Sequence, residues 1–207
     1  MTLYRENIEW CDIWIRNADR CGSAKPRVLF IGDSVTRAYY QAAESDLMQV
    51  VEPARLCTSR SLLDPVFAQE VTLVLNQFHA DLIHVNNGLH GWDHDEHEYR
   101  AGLISLLGLL RRSAPRSRLV WAQTTPLYRS GHLDQHDERQ LRVHERNRIA
   151  SELMSQEGIP VHDLHAAVVG RSELFSSDGV HFNEVGNGVL SGLVQQVVRR
   201  EISDRTK

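Results

Sequence analysis

Short apolar runs alternate along this chain with longer stretches in which apolar residues recur every three or four positions. That is the pattern of strands alternating with amphipathic helices. Arg27-Val-Leu-Phe-Ile31, bounded by Pro26 and Gly32, reads as a buried strand, and Val35 to Glu44 as the helix that follows it. Met48-Gln-Val-Val51, with Arg55-Leu-Cys57, predicts a second strand, marred by Pro53 in its interior. Asp64-Pro65 opens a helix as a side-chain cap followed by proline, and Val66, Phe67, Val71, Val74, Leu75 and Phe78 continue it. Asp81 to Asn86 is a third strand. Asp93 or Asp95 caps a helix reaching Arg112, with Tyr99, Leu103, Leu106, Leu107 and Leu110 on its buried side. Arg118 to Gln123 is a fourth strand, followed by a polar loop from Leu127 to His136 and a long helix ending near Gln156. Gly158 stops that helix before a short fifth strand, Ile159 to His162. The last helix starts at Asn183 or Glu184 and carries Val185, Val189, Leu193, Val197 and Val198.

At the start of the chain Tyr4, Ile8, Cys11 and Ile15 are spaced by four, three and four, which predicts a helix, with Trp10 and Trp14 on a neighbouring face. Such a helix either packs across a sheet edge or forms a homodimer surface. The expectation is one domain over residues 1–207, with 1–24 as an N-terminal helical extension.

Strands alternating with helices imply a parallel sheet covered on both faces, and such folds bind ligands beyond the carboxyl ends of the strands. Four polar segments fall there: Gly32-Asp33-Ser34, Asn86-Asn87-Gly88-Leu89-His90, Thr124-Thr125-Pro126 and Ser177 to Asn183. Ser34 stands at a strand-to-helix turn, where outward N–H groups and the helix dipole favour a developing oxyanion. Asp178 and His181 are three residues apart in a turn that Gly179 makes possible. That spacing brings a carboxylate to one imidazole nitrogen and leaves the other facing outward. A serine hydroxyl needs such an oriented base, because it is a poor nucleophile while protonated.

Composition narrows the classes. Apolar content of 42% and charged content of 24% are those of an ordinary globular protein. A net charge of −4, with both signs interspersed, offers no footprint for nucleic acid or for a membrane surface. No apolar stretch has the length of a transmembrane helix, and the first residues lack a leader's layout. Cys11, Cys21 and Cys57 are an odd number without metal-type spacing, so a reduced, cytoplasmic protein is expected.

Phe30-Ile-Gly-Asp-Ser-Val35 and Asp178-Gly-Val-His-Phe-Asn183 resemble the first and last blocks of the SGNH (GDSL) hydrolases, in the family's order and separation. The resemblance runs from about Pro26 to Ile202. It implies an α/β three-layer sandwich around a five-stranded parallel flavodoxin-like sheet, with Ser34 as nucleophile, His181 as base and Asp178 as its partner. It also implies ester or thioester hydrolysis without metal or organic cofactor. The second block normally supplies a glycine N–H to the oxyanion hole. Here Leu56-Cys-Thr-Ser-Arg60 has no glycine, and Ser59 is the candidate donor beside the N–H of Ser34. The third block, normally Gly-x-Asn, places His90 at the asparagine, with Asn86 or Asn87 as alternative donors. Asn87-Gly-Leu-His-Gly-Trp92 also looks like a block of the PC-esterase branch, whose members handle acyl groups on glycans. An O-acetyl group on a carbohydrate is therefore the expected substrate. Thioester and lysophospholipid hydrolysis, glycan binding without turnover, and glycosidase chemistry on Asp178 or Asp33 are the alternatives.

The remaining polar residues carry weaker expectations. Trp92 either stacks on a sugar ring or plugs the core, and His132, with Asp134 and His136, lines the substrate site. Asp33 holds the nucleophile's turn and is counted with the substrate-binding residues. His94 and His97 have helical spacing suited to a metal, but an acidic, exposed first turn explains them, so no metal is expected. Arg37 reads as a surface arginine, and His84 as an interior histidine.

Overall fold

The computed structural model describes residues 5–18 and 24–203. Among these residues eight strands and six α-helices follow one another as β1 (Cys11–Ile15), β2 (Arg27–Gly32), α1 (Ser34–Leu47), β3 (Glu52–Thr58), α2 (Pro65–Gln77), β4 (Leu82–Val85), α3 (Glu96–Ser113), β5 (Arg118–Ala122), β6 (Tyr128–Arg129), β7 (His132–His136), α4 (Gln140–Gln156), β8 (Val161–His162), α5 (Leu164–Val168) and α6 (Glu184–Ser203). The main sheet has the order β1-β3-β2-β4-β5-β8. Its last five strands are parallel, and β1 joins β3 antiparallel at the edge. Counted without β1, the order is 2-1-3-4-5, the flavodoxin-like winding.

Alternate residues of β2 face opposite layers. Val28 and Phe30 pack with α1 and α6, whereas Leu29 and Ile31 pack with α2, α3 and α4. The expected helix starts hold: Asp64 caps α2 through the N–H of Val66, and Asp95 forms a capping box with Glu98 at α3. No helix among the described residues is long and apolar enough to cross a membrane.

Three expectations need correction. The N-terminal helix is a strand over Cys11–Ile15; residues 1–4 and 19–23, and with them Tyr4 and Cys21, lie outside the described residues. Period two wins there over period 3.6, because Ile13 and Ile15 face the core while Trp14 points outward, its ring 5.5 Å from the Arg55 guanidinium. The second strand begins at Glu52, and Met48 to Val51 turn out of α1 instead. Pro53 is tolerated because β1 pairs only with Ala54 to Thr58, so its missing N–H costs no bond to that neighbour. Finally, the polar loop after β5 contains a hairpin, β6–β7.

Within the sheet His84 is fully buried, and its Nε2 lies 3.0 Å from Nδ1 of His162. Burial keeps both rings neutral. It holds the His84 pKa well below 6.5 and, with a smaller contribution from Arg200, brings that of His162 down to about 4. An unfolded chain takes up protons near pH 6.5 that the folded one refuses until near 4, so stability is lost as pH falls through that window. His162 alone removes about 2 kcal/mol between pH 6.5 and 5. Urea unfolding at a series of pH values checks this, and a flat profile over that range would contradict it.

Candidate active site

The chemistry gathers where β2 ends. The Asp33 carboxylate accepts the N–H groups of Val35 (2.9 Å) and Thr36 (3.2 Å) as the cap of α1. Ser34 is thereby the first residue of the helix, and its own N–H has no intrahelical carbonyl to meet. A Cβ at Gly32 would lie 2.0 Å from the Thr36 hydroxyl, so the approach of strand to helix needs glycine. Asp33 is 1% exposed and turned inward, which removes it from substrate contact and leaves it the capping role.

From the other end of the chain comes the His181 turn. Oγ of Ser34 lies 2.8 Å from Nε2 of His181, and Nδ1 of that ring lies 2.7 Å from Oδ2 of Asp178. The other carboxylate oxygen of Asp178 accepts the N–H groups of Val180 and His181, each at 2.9 Å. Partial burial raises the Asp178 pKa, but these hydrogen bonds and the ring outweigh it and leave it lowered, so the carboxyl stays ionised. Gly179 has φ +73°, and a Cβ there would stand 2.2 Å from the Tyr128 carbonyl. The β6–β7 hairpin braces this turn: the N–H of Tyr128 donates to Gly179 O (2.9 Å) and that of Gly131 to Ser177 O (2.8 Å). His132 is exposed on the hairpin's outer strand.

The expected oxyanion donors fare differently. The N–H of Ser59 donates to Trp10 O (3.2 Å), so it is engaged by the N-terminal segment and withdrawn from the site. The side-chain amide of Asn87 donates to Arg60 O (2.8 Å), and that of Asn86 to Ala122 O (2.7 Å). His90 remains. Its Nδ1 lies 2.6 Å from the Glu6 carboxylate, and Nε2 is the ring's other nitrogen.

Two arginines that the sequence did not single out hold the His90 loop. Arg146, fully buried in α4, donates to the carbonyls of Gly88, His90 and Gly91, each at 2.9 Å. Arg142 donates to the carbonyls of Trp92 and His94 and to Glu96. The Trp92 ring has the guanidinium groups of Arg146 (4.3 Å), Arg139 (5.4 Å) and Arg142 (5.6 Å) around it. Half-buried against the core, the ring is held in place by these cations. Arg37 lies under the Trp10 ring at 4.6 Å. His94 is buried and His97 exposed, and no group of three or more possible metal ligands forms among the described residues.

An alcohol, an imidazole and a carboxylate in line, beside a helix N-terminal N–H with no intrahelical acceptor, can perform acyl transfer to serine. Comparison with known proteins agrees in kind. Residues 30–189 match the GDSL-like lipase/acylhydrolase family. No curated protein matches the sequence. Among solved structures, the lipase/acylhydrolase of Enterococcus faecalis superposes with a TM-score of 0.63 at 18% identity, over 85% of this chain and 96% of that one. The acetylxylan esterase Axe2 of Geobacillus stearothermophilus gives 0.65 at 16%, over 84% and 94%. The acetyl xylan esterase AlAXEase gives 0.65 at 16%, over 83% and 99%. At such identities the likeness is one of fold.

Proposed function

This chain belongs to the GDSL-like lipase/acylhydrolase family, and we propose that it is a serine esterase removing a small acyl group, most of all an O-acetyl group on a carbohydrate. The observation that carries this reading is the alignment of Ser34 Oγ, the His181 ring and Asp178 over two contacts of 2.8 and 2.7 Å. His181 Nε2 takes the hydroxyl proton as Oγ bonds to the acyl carbon. The resulting oxyanion faces the N–H of Ser34, at the positive end of α1, and the ring of His90. When the carbon–oxygen bond to the alcohol breaks, His181 returns the proton to the leaving oxygen. A water, deprotonated by the same ring, then attacks the acyl-serine, and Ser34 leaves with its proton restored while the acid departs. Asp178 holds Nδ1–H and offsets the imidazolium charge in both halves.

Small substrates are favoured by the size of the cavities. Among the described residues a cavity at the edge where β2 ends, lined by Glu6, Ser59 and Trp92 with their neighbours, measures about 70 Å³. A larger one, about 410 Å³, opens at the opposite edge, among Phe78, Asp81, Pro115 and Ser117. The two acetyl xylan esterases among the similar folds support the acetyl group and the glycan. A fluorophosphonate probe is expected to label Ser34, and acetyl esters and acetylated xylan to be cleaved faster than octanoyl esters. An unlabelled protein would overturn the hydrolase reading; a preference for octanoyl esters would overturn the substrate.

A further inference from the structure

Because β1 runs antiparallel to β3, with Cys11 opposite Thr58, the residues before β1 emerge at the carboxyl edge of the parallel strands. That is the Ser34 edge. Residues 5–10 lie along it as a strap tied down on both sides. Arg5 pairs with Asp64 at 3.0 Å, and the Glu9 carboxylate accepts from the Ser59 hydroxyl at 2.6 Å. The Trp10 N–H donates to the Ser59 hydroxyl, and the Trp10 carbonyl accepts from the Thr58 hydroxyl and the Ser59 N–H. The Trp10 ring covers Arg37, one turn beyond Ser34. From this strap Glu6 reaches across to the β4–α3 loop and takes Nδ1 of His90 at 2.6 Å.

We propose that the strap is part of the catalytic centre, and that Glu6 is the positioning residue that turns His90 into a cationic oxyanion donor through Nε2. The inference rests on the esterase reading. The strap engages the Ser59 N–H, one donor the fold offers at this edge, and brings a carboxylate to the ring that takes its place. With Nδ1–H held by Glu6, a protonated ring presents Nε2–H with a positive charge, a stronger donor to a developing oxyanion than a neutral amide. A neutral ring held the same way presents only a lone pair. The groups facing it favour the cation. Burial depresses the His90 pKa, but the Glu6 hydrogen bond and the carboxylates of Asp33, Glu6 and Glu9 outweigh it and leave it raised. The Glu6 pKa is correspondingly lowered, through the His90 hydrogen bond first, with Arg139 adding a smaller pull.

The test uses the full chain, wild type and with Glu6→Gln or Glu6→Asp, hydrolysing an acetyl ester across pH 5.5 to 9 (roughly the histidine window and beyond). Glu6→Gln is expected to lower kcat about tenfold to a hundredfold, less than outright loss of an oxyanion donor, with little change in KM. It should also move the alkaline limb of the profile to lower pH, since a neutral amide no longer favours imidazolium. Glu6→Asp, which keeps the charge, should keep that limb in place while lowering kcat less. Wild-type rates in Glu6→Gln, or a uniform fall with the alkaline limb unmoved, would overturn the role of Glu6 while fluorophosphonate labelling of Ser34 leaves the esterase standing. Absence of both labelling and ester turnover in the wild type would remove the esterase reading, and this one with it.

Discussion

Replacing Ser34 by alanine is expected to lower kcat for ester hydrolysis by at least about a thousandfold, with a Tm close to wild type. The change removes one oxygen at the first position of α1. The Asp33 cap, the helix and the Asp178–His181 pair all keep their own hydrogen bonds. No other hydroxyl takes its place, because among the described residues the two nitrogens of His181 meet Ser34 and Asp178. What survives is the water reaction assisted by the oxyanion donors and by binding. Steady-state kinetics on an acetyl ester, paired with thermal unfolding, checks both halves. Near-normal ester turnover in Ser34→Ala would reject Ser34 as the nucleophile, and glycoside cleavage that survives the change would place the chemistry on a carboxylate such as Asp178 and make the enzyme a glycosidase. An unchanged glycan affinity with no turnover in the wild type itself would make it a binding protein.

The parallel sheet and the three polar residues of the attack line were legible because they lie in strong local signals. An apolar run ending in Gly32-Asp33-Ser34 reports a strand-to-helix turn directly, and Asp178 to His181 is a turn with its glycine in place. The β3 boundary was not legible, since proline inside a strand is allowed or forbidden by which neighbour needs its N–H, and that neighbour is β1. The nature of β1 was hidden for a related reason: its residues satisfy both periodicities, and the unpaired edge of β3 decides between them. Donors at the oxyanion site depend on tertiary competition. Ser59 and Asn87 have the right chemistry in the right segment, but Trp10 and Arg60 engage them first. The two arginines on α4 left no local trace, because an arginine on a polar helix reads as a surface residue until the loop that folds over it is known. One signal was available: a helix with Val143, Ile149, Ala150 and Leu153 on its inner side also carries Arg146 and Asn147 at buried positions, where a charge needs a dedicated partner.

That partner is the subject of the second large effect. Arg146→Met is expected to cost about 3–5 kcal/mol of stability, a fall in Tm of about 10 °C for a chain of this size. Methionine fills much of the volume, so the cost lies in the carbonyls of Gly88, His90 and Gly91, which lose their shared donor inside the protein. The ring contacts are lost as well: the guanidinium stands 4.3 Å from the Trp92 ring and 5.0 Å from that of Tyr99. Burial disfavours the charge and lowers the Arg146 pKa, yet guanidinium remains ionised, so the loop is held by charge-assisted bonds at every working pH. Arg146→Lys should fall between the two, since one ammonium cannot reach three carbonyls in the fork geometry that guanidinium offers. Because His90 stands on the released loop, kcat should fall in Arg146→Met at temperatures well below its Tm, by about tenfold or more. Urea unfolding of the three proteins, with kinetics on the same samples, separates the parts. A stability loss below about 1 kcal/mol would show that the loop keeps its shape through Arg142 and the Trp92 plug alone.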